Sequence, residues 1–283
     1  QWSLTVAGDD DEDPRLQRSV PRMRSAGAPV AYLAPHETCE RLHATGLHGS
    51  LYVTSGGVVN PLRLVQHIAD RSDADVYPRH PIEAMNPRSR GTVCLETPAR
   101  PIRTRQVVLA MGASLPDLLP EARKVVRPVR GQMLMTEPAE ERALPLPAYS
   151  HSGGFYVRQL PDRRVLVGGG RHVHREMEET DVDATTPAVQ ATIERYLHRH
   201  FPWTQGLEVE RRWSGTMGFS PDRRPVVGRI PDLEGSFYAT GFTGHGMGYG
   251  FRMGRLLAEL TTGTERPDGY DLFAASRFET VPA

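Results

Sequence analysis

Apolar positions along this chain recur with two periods, and the period changes where Gly, Pro and Asn cluster. Trp2, Leu4 and Val6 alternate with polar neighbours and predict a strand over residues 1–7. The acidic run Asp9–Asp13 after it reads as a solvated loop. Asn60 and Pro61 supply an N-cap and a first-turn proline, and Leu64, Val65 and Ile68 then share one face of a helix ending near Arg71. From Asp75 the period shortens to that of strands, carried by Val76, Val93 and Leu95. The run Val107–Ala110 that follows, ending at Gly112, reads as fully buried.

Residues 125–136, 154–160 and 164–169 form three more strand-like runs separated by Pro-rich or charged turns, and an antiparallel sheet is their simplest assembly. Thr186 and Pro187 open a second helix, in which Val189, Ile193, Tyr196, Leu197 and Phe201 keep helical spacing until Pro202 stops it. Residues 208–214, 225–229 and 236–241 return to strand periodicity. The last enters a glycine-rich run, Gly241–Gly250, and then a helix carrying Leu256, Leu257 and Leu260 to Gly263.

Composition narrows the partners. The 283 residues include 34 basic and 34 acidic side chains, which removes the basic footprint of a dedicated nucleic-acid binder. Small molecules are the expected partners. No stretch of 18 apolar residues occurs, so no membrane segment is expected. Cys39 and Cys94 are the only cysteines and form no CxxC pair, so a disulfide framework is not expected and the cytoplasm is the expected compartment.

The strand, glycine run and helix near the C-terminus form the most informative feature. Glycines let backbone approach a ligand closely, and a helix start presents unpaired N–H groups at the positive end of its dipole. The turn is therefore either a ligand loop or a tightly packed strand-to-helix junction. It is not a dinucleotide fingerprint, because no glycines stand at n, n+2 and n+5 anywhere in the sequence. His172 with His174 and His198 with His200 repeat an HxH spacing, but no ligand cluster accompanies them and no metal site is assigned. Ser220 and Asp222 lie outside any GxSxG context, which leaves a nucleophilic triad without support.

Taken together, the C-terminal blocks resemble the D-amino acid oxidase family of flavoproteins, which includes the glycine and sarcosine oxidase types. Those blocks are Trp213–Gly218, Pro221, Asp222, Pro225 and Gly228, then Gly241–Gly248 with Gly254, Leu257, Ala258 and Glu259. Upstream, Gly57–Pro61 with its helix, Val107–Gly112, Arg127–Gln132 and Phe155–Gly169 are similar to the same family and follow its order. Members open with a strand, a GxGxxG turn and a helix, which this sequence does not contain. By that comparison it begins inside the substrate domain, without roughly the first hundred residues.

The resemblance implies a mixed α/β fold: the C-terminal part of a two-domain FAD-binding flavoprotein, with an antiparallel substrate-domain sheet and an incomplete Rossmann-like FAD domain. Substrate-domain segments are expected at residues 1–48 and 121–214, FAD-domain segments at 49–120 and 215–283. By similarity, the backbone at Ile82 meets the adenine, Ala110 and Gly112 line the adenosine and pyrophosphate, and Gly244, His245, Gly246, Met247 and Gly248 surround the flavin pyrimidine edge. Tyr156 resembles a substrate-pocket tyrosine. Met217 stands where glycine and D-amino acid oxidases carry a carboxylate-binding arginine, a second glycine oxidase arginine matches Gly244, and a sarcosine oxidase lysine matches Gly248. Gly215 replaces the cysteine through which some members attach flavin, so noncovalent FAD is expected. The implied reaction passes hydride from a C–H next to nitrogen, in an amine or amino acid, to flavin N5. The imine formed is hydrolysed, and oxygen or another carrier takes the electrons. No catalytic acid or base is assigned. An inert or partner-dependent fragment of such a flavoprotein is the competing reading.

Overall fold

The computed structural model describes residues 3–89, 91–263 and 266–278, so Trp2 of the first predicted strand lies outside the described residues. The strands are β1 (Ser3–Val6), β2 (Val30–Leu33), β3 (Ser50–Val53), β4 (Ala84–Arg88), β5 (Thr92–Glu96), β6 (Ile102–Thr104), β7 (Val107–Leu109), β8 (Arg127–Pro138), β9 (Ala148–Ser150), β10 (Phe155–Gln159), β11 (Arg164–Gly169), β12 (Val209–Phe219), β13 (Val226–Arg229) and β14 (Ser236–Thr240). The helices are α1 (Glu12–Ser25), α2 (Pro35–Leu42), α3 (Pro61–Asp70), α4 (Leu115–Leu118), α5 (Arg175–Glu178), α6 (Pro187–His200), α7 (Gly246–Thr261) and α8 (Tyr270–Phe273). None of these helices is long and apolar enough to cross a membrane. The mixed α/β class expected from the sequence is the one observed.

The chain divides into two compact units. The first comprises residues 1–60, 130–178 and 182–215, and the second residues 61–129, 179–181 and 216–283. Residues 49–60 thus join the first unit, because β3 pairs antiparallel with both β1 and β2. Residues 121–129 join the second, because Ala122, Val125 and Val126 pack with Val107, Leu109 and Leu115.

In the first unit an eight-stranded sheet runs in the order β12-β8-β11-β10-β9-β1-β3-β2. Its pairings include the antiparallel β8, β11 and β10 of the expected sheet, but β1 and β9 run parallel. Strand periodicity sorts the side chains between two layers. Ala31 and Leu33 of β2 face a core with Leu42 of α2 and Val189, Ile193 and Leu197 of α6, whereas Val30 and Tyr32 face Val20 and Leu16 of α1. Helix α1 corrects the loop reading of the acidic run. Asp9 Oδ1 accepts the N–H groups of Asp11 and Glu12 at 3.0 and 2.7 Å, so these carboxylates start a helix and complement its dipole. Asp13 Oδ2 accepts Gly49 N–H at 2.9 Å, and Asp13 also accepts the Tyr32 hydroxyl.

Beneath α6 lies a buried polar array. Arg130 Nε and Nη2 donate to Glu178 Oε1 at 3.1 and 2.6 Å, Nη1 to Val182 O at 3.1 Å and Nη2 to Met177 O at 3.2 Å. Gln132 donates to Glu178 Oε1 at 2.9 Å and accepts Thr186 N–H at 3.0 Å. Gln132 thereby satisfies an N–H that opens α6, where the Thr186 side chain makes no cap bond.

The second unit carries two three-stranded sheets, β13-β14-β7 and β4-β5-β6. Strand β7 runs parallel to β14 at one edge of its sheet, where Val107 and Leu109 are buried but Val108 is 43% exposed and Ala110 is exposed. The expectation of a fully buried run is corrected: only one face of this edge strand is buried among the described residues. Val76 is not in a strand and is exposed. Helix α7 starts at Gly246, inside the run expected to be loop, and packs through Met253, Leu256, Leu257 and Leu260 against Val227, Phe237 and Ala239. That burial offsets the poor helix propensity of its glycines, about 1 kcal/mol each relative to Ala.

Candidate functional site

The glycine-rich turn leaves β14 at Thr240 and enters α7 at Gly246. Two of its glycines answer to the backbone: Gly241 has φ +67°, with Ser220 Cβ 2.9 Å from where its own Cβ would lie, and Gly244 has φ +79°. Between them Thr243 holds φ 51° with a side chain present, and the turn secures it. Thr243 N–H donates to Gly218 O at 2.9 Å and its hydroxyl to Gly241 O at 3.1 Å. Phe219, at the end of β12, bridges antiparallel to Phe242. This pairing brings Met217 to the turn, its Sδ 3.7 Å from where a Gly244 Cβ would lie.

Gly246 and Gly248 answer to something else. Neither has positive φ; a Cβ on Gly246 would meet only Phe242 Cβ at 3.9 Å, and one on Gly248 would meet nothing within 4 Å. Both are exposed, so protein packing does not require glycine there. The N–H groups of Gly246 and Met247 belong to the first turn of α7 and have no intrahelical acceptor. Cleared side-chain positions beside unsatisfied donors at a helix's positive end form a cradle for an electron-rich group. His245 flanks the cradle, its Nδ1–H donating to Thr243 O at 2.8 Å.

Gly112 joins the same assembly. It has φ +59°, its carbonyl accepts the Thr240 hydroxyl at 2.7 Å, and its carbonyl carbon lies 3.3 Å from where a Gly218 Cβ would be. The structure thus brings Gly112, Met217 and Gly244–Gly248 together, with Ala110 exposed at the end of the same β7 segment. Ile82 stands apart, half-buried on the segment leading into β4, where Glu83 N–H donates to Glu96 O at 2.9 Å.

Tyr156 belongs to the first unit, on β10 opposite Gly168 of β11. Its ring occupies the space a Gly168 side chain would need, with Cε2 2.5 Å from the position of a Cβ. Burial pushes the Tyr156 hydroxyl pKa up, against the pull of the Arg171 guanidinium, and Tyr149, with its ring centroid 6.3 Å away, pushes it further up. Arg171 escaped the sequence reading, because a single arginine after a glycine turn carries no motif. Also unforeseen is an aromatic pile in which Phe155 stacks on Tyr196 at 4.0 Å, with the rings of His151 and His172 at 5.4 and 4.9 Å from Phe155. Ser150 Oγ lies 2.8 Å from the Tyr196 hydroxyl and 3.0 Å from His151 Nδ1. Burial lowers the pKa values of His151 and His172, and raises that of Tyr196 to about 12.

The paired histidines have separate surroundings. His174 Nε2 lies 2.9 Å from Thr192 Oγ1, and His200 Nδ1 donates to Thr45 O at 2.9 Å. Among the described residues no group of three or more His, Cys, Asp or Glu is placed to hold a metal ion.

The chain is similar to several known proteins. The chain is 27% identical to an opine oxidase subunit of Agrobacterium tumefaciens (strain Ach5) over 256 residues, which cover 87% of this chain and 64% of that protein. It is 28% identical to gamma-glutamylputrescine oxidoreductase of Escherichia coli (strain K12) over 232 residues, covering 78% of this chain and 52% of the relative. The chain therefore spans between about half and two thirds of these curated relatives. In fold it is similar to the crystal structure of glycine oxidase from Geobacillus kaustophilus, with a TM-score of 0.84 at 22% identity over 98% of this chain and 75% of the other. The profile of the DAO family, FAD dependent oxidoreductase, matches residues 2–260, nearly the whole sequence, and the chain belongs to that family.

Proposed function

We propose that this chain forms the substrate-binding and flavin-edge parts of a cytoplasmic FAD-dependent oxidoreductase acting on an amine or amino acid. The observation that carries the reading is the pair Gly246 and Gly248, glycines at an exposed helix start that the fold itself does not require. Their cleared positions and the adjacent N–H donors fit the electron-rich pyrimidine edge of a flavin. When bound, FAD supplies the two-electron acceptor, taking hydride at N5 from the C–H next to the substrate nitrogen and leaving an imine that water hydrolyses. Helix-start N–H groups stabilise negative charge on that edge without reorganising, since the turn already fixes them. Ala110 and Gly112 would run along the adenosine and pyrophosphate, Ile82 would meet the adenine through its backbone, and His245 and Met247 would border the ring. In this reading the first unit is the substrate domain and the second the flavin domain, and FAD is held noncovalently.

Tyr156 and Met217 would contact substrate. A thioether at position 217 offers no bidentate partner for a carboxylate, which favours an amine. The opine oxidase and gamma-glutamylputrescine oxidoreductase relatives are named for substrates of these amine and amino-acid classes, which supports the range without choosing within it. The electron acceptor would be oxygen or another carrier.

A second reading, that these 283 residues alone are inert or depend on a further unit, is favoured by apolar surface in the second unit. Leu62, Val65 and Ile68 of α3, Val108 of β7 and Phe251 of α7 are all exposed, Phe251 at 86%. A nucleotide-binding unit with the phosphate loop this sequence lacks would cover such surface. The deciding experiment compares Gly246→Val with wild type in the full-length flavoprotein, by cofactor-free melting, FAD affinity and reduction potential. Retained melting with weakened affinity and a lowered potential is expected; unchanged affinity and potential would make the loop a structural turn. Flavin bleaching without oxygen then separates substrates, with amines expected to outpace glycine, sarcosine and D-amino acids. Absorbance of the purified 283-residue chain tests the second reading, which stoichiometric FAD on that chain would remove.

A further inference from the structure

The glycine turn is not held by its own backbone alone. The C-terminal one-turn helix Ala275–Phe278 brings Arg277 onto Asp222, with Nε 2.8 Å from Oδ2 and Nη2 2.9 Å from Oδ1, a two-pronged pair in which the Arg277 side chain is only 12% exposed. Arg277 Nη2 also donates to Arg224 O at 3.1 Å, and the same carbonyl accepts Ser220 Oγ at 2.7 Å. Ser220 is buried, and its N–H donates to Thr243 Oγ1 at 3.2 Å. Thr243 is the residue kept in the left-handed region at φ 51°, and its carbonyl accepts His245. An unbroken run of hydrogen bonds therefore leads from the C-terminal guanidinium to the residue on which the cradle turns.

The chain of contacts has the properties of a positioning device. A left-handed threonine costs about 1 kcal/mol or more and persists only where its surroundings over-determine it. Here they do so through Gly218 O, Gly241 O and Ser220 N–H. Asp222 is tied more strongly still: Arg277, with the Arg224 N–H and guanidinium, holds its carboxyl well below the usual carboxylate range. None of these groups is part of the cradle. Arg277 anchors at Phe273 O and Ala274 O, at 2.7 and 3.0 Å, so the C-terminal segment and the loop at residues 220–224 are one braced piece.

We propose that Arg277 is a positioning residue for the flavin edge: through Asp222, the Arg224 carbonyl and Ser220 it holds Thr243, and so aims the Gly246 and Met247 N–H groups at the start of α7. The proposal rests on the reading that this turn meets FAD. Loosening the brace leaves every donor in place but lets the turn fluctuate, so it acts on the preorganisation that makes such donors effective.

The test uses Arg277→Met, Arg277→Lys and Ser220→Ala in the full-length flavoprotein. Amide hydrogen exchange over Gly241–Gly248 is read without cofactor, and FAD affinity and reduction potential are read with it. Arg277→Met is expected to speed exchange at Gly241–Gly248 about tenfold relative to the α7 core, as loss of a charge-assisted pair implies, and to weaken FAD binding and lower the potential. Arg277→Lys should recover part of each effect, and Ser220→Ala should reproduce them more weakly with the ion pair intact. If Arg277→Met does not fold, the latter two variants carry the same comparison. Unchanged exchange at the turn overturns the proposal. Faster exchange with unmoved affinity and potential also overturns it if Gly246→Val moves both, and the flavin reading then survives. If Gly246→Val moves neither, the flavin reading falls and takes the proposal with it.

Discussion

Helices α3 and α6 open alike and end in different circumstances. Each follows a polar residue with proline at its first position, Asn60-Pro61 and Thr186-Pro187, and each gathers its apolar residues on one face. In α6 that face is buried: Val189 and Ile193 are fully enclosed and Tyr196 and Leu197 nearly so. In α3 no residue is buried, and Leu62, Val65 and Ile68 are 64%, 58% and 53% exposed. An amphipathic pattern specifies that a face suits burial; what covers it is a separate matter. The first unit contains the cover for α6. For α3 the second unit offers none among its described residues.

The largest effect that would sharpen this contrast is expected beneath α6. Glu178→Ala leaves the Arg130 guanidinium buried without its carboxylate, and loss of one partner of a buried pair costs about 3–5 kcal/mol. Urea unfolding followed by tryptophan fluorescence reads this, because Trp203 and Trp213 belong to the first unit and the second has no tryptophan. A loss below about 1 kcal/mol would mean that the array can rearrange. Next, Ile193→Ala should cost about 2–4 kcal/mol by the same probe, through lost burial and the cavity left behind.

A pH effect of intermediate size should also be confined to the first unit. Burial lowers the pKa values of His151, His172 and His200 from 6.5, and repulsion adds to it, from His200 and His48 on His151, from His151, Arg171 and His174 on His172, and from Arg199 and His48 on His200. Glu12 and Asp9 pull His151 the other way, and the Gly154 and Thr45 carbonyls do so for His172 and His200. The unfolded chain therefore binds protons first on acidification. Stability is fully present above pH 6.5 and is lost as pH falls from 6.5 toward the lowered folded values. His172→Phe, placed beside Phe155, should flatten that slope; an unchanged slope would assign the acid sensitivity elsewhere.

The smallest effect is expected on α3, where it breaks the comparison if it fails. Ile68→Ser removes a methyl-rich side chain already in water, so circular dichroism melts of the 283-residue chain should agree with wild type within about 0.5 kcal/mol. A loss like that of Ile193→Ala would show that the face is covered in solution.

Much of the architecture was legible in the order of residues because its determinants are local. Alternation located β1, β5, β8, β10, β11, β13 and β14, and proline with capping residues bounded α3 and α6. Helices α1 and α2 escaped, the first because a run of carboxylates reads equally as a loop or a helix start until Asp9 is seen accepting Asp11 and Glu12. The family blocks singled out Gly244–Gly248 and Met217 by position in the chain. Their meeting depends on Phe219 pairing with Phe242, a contact with no signature in either segment.

By itself the sequence determined the mixed α/β class, the family and the presence of a glycine-rich strand-to-helix turn. Only the tertiary structure decided which glycines the fold requires. Gly241 and Gly244 have left-handed backbones, while Gly246 and Gly248 have conformations any residue can adopt, and a side chain would meet no more than an ordinary contact with Phe242 at the first and nothing at the second. The letter is the same at all four positions. The difference lies in the torsion angle and in the atoms around an absent Cβ, which are set by contacts between segments far apart in the chain.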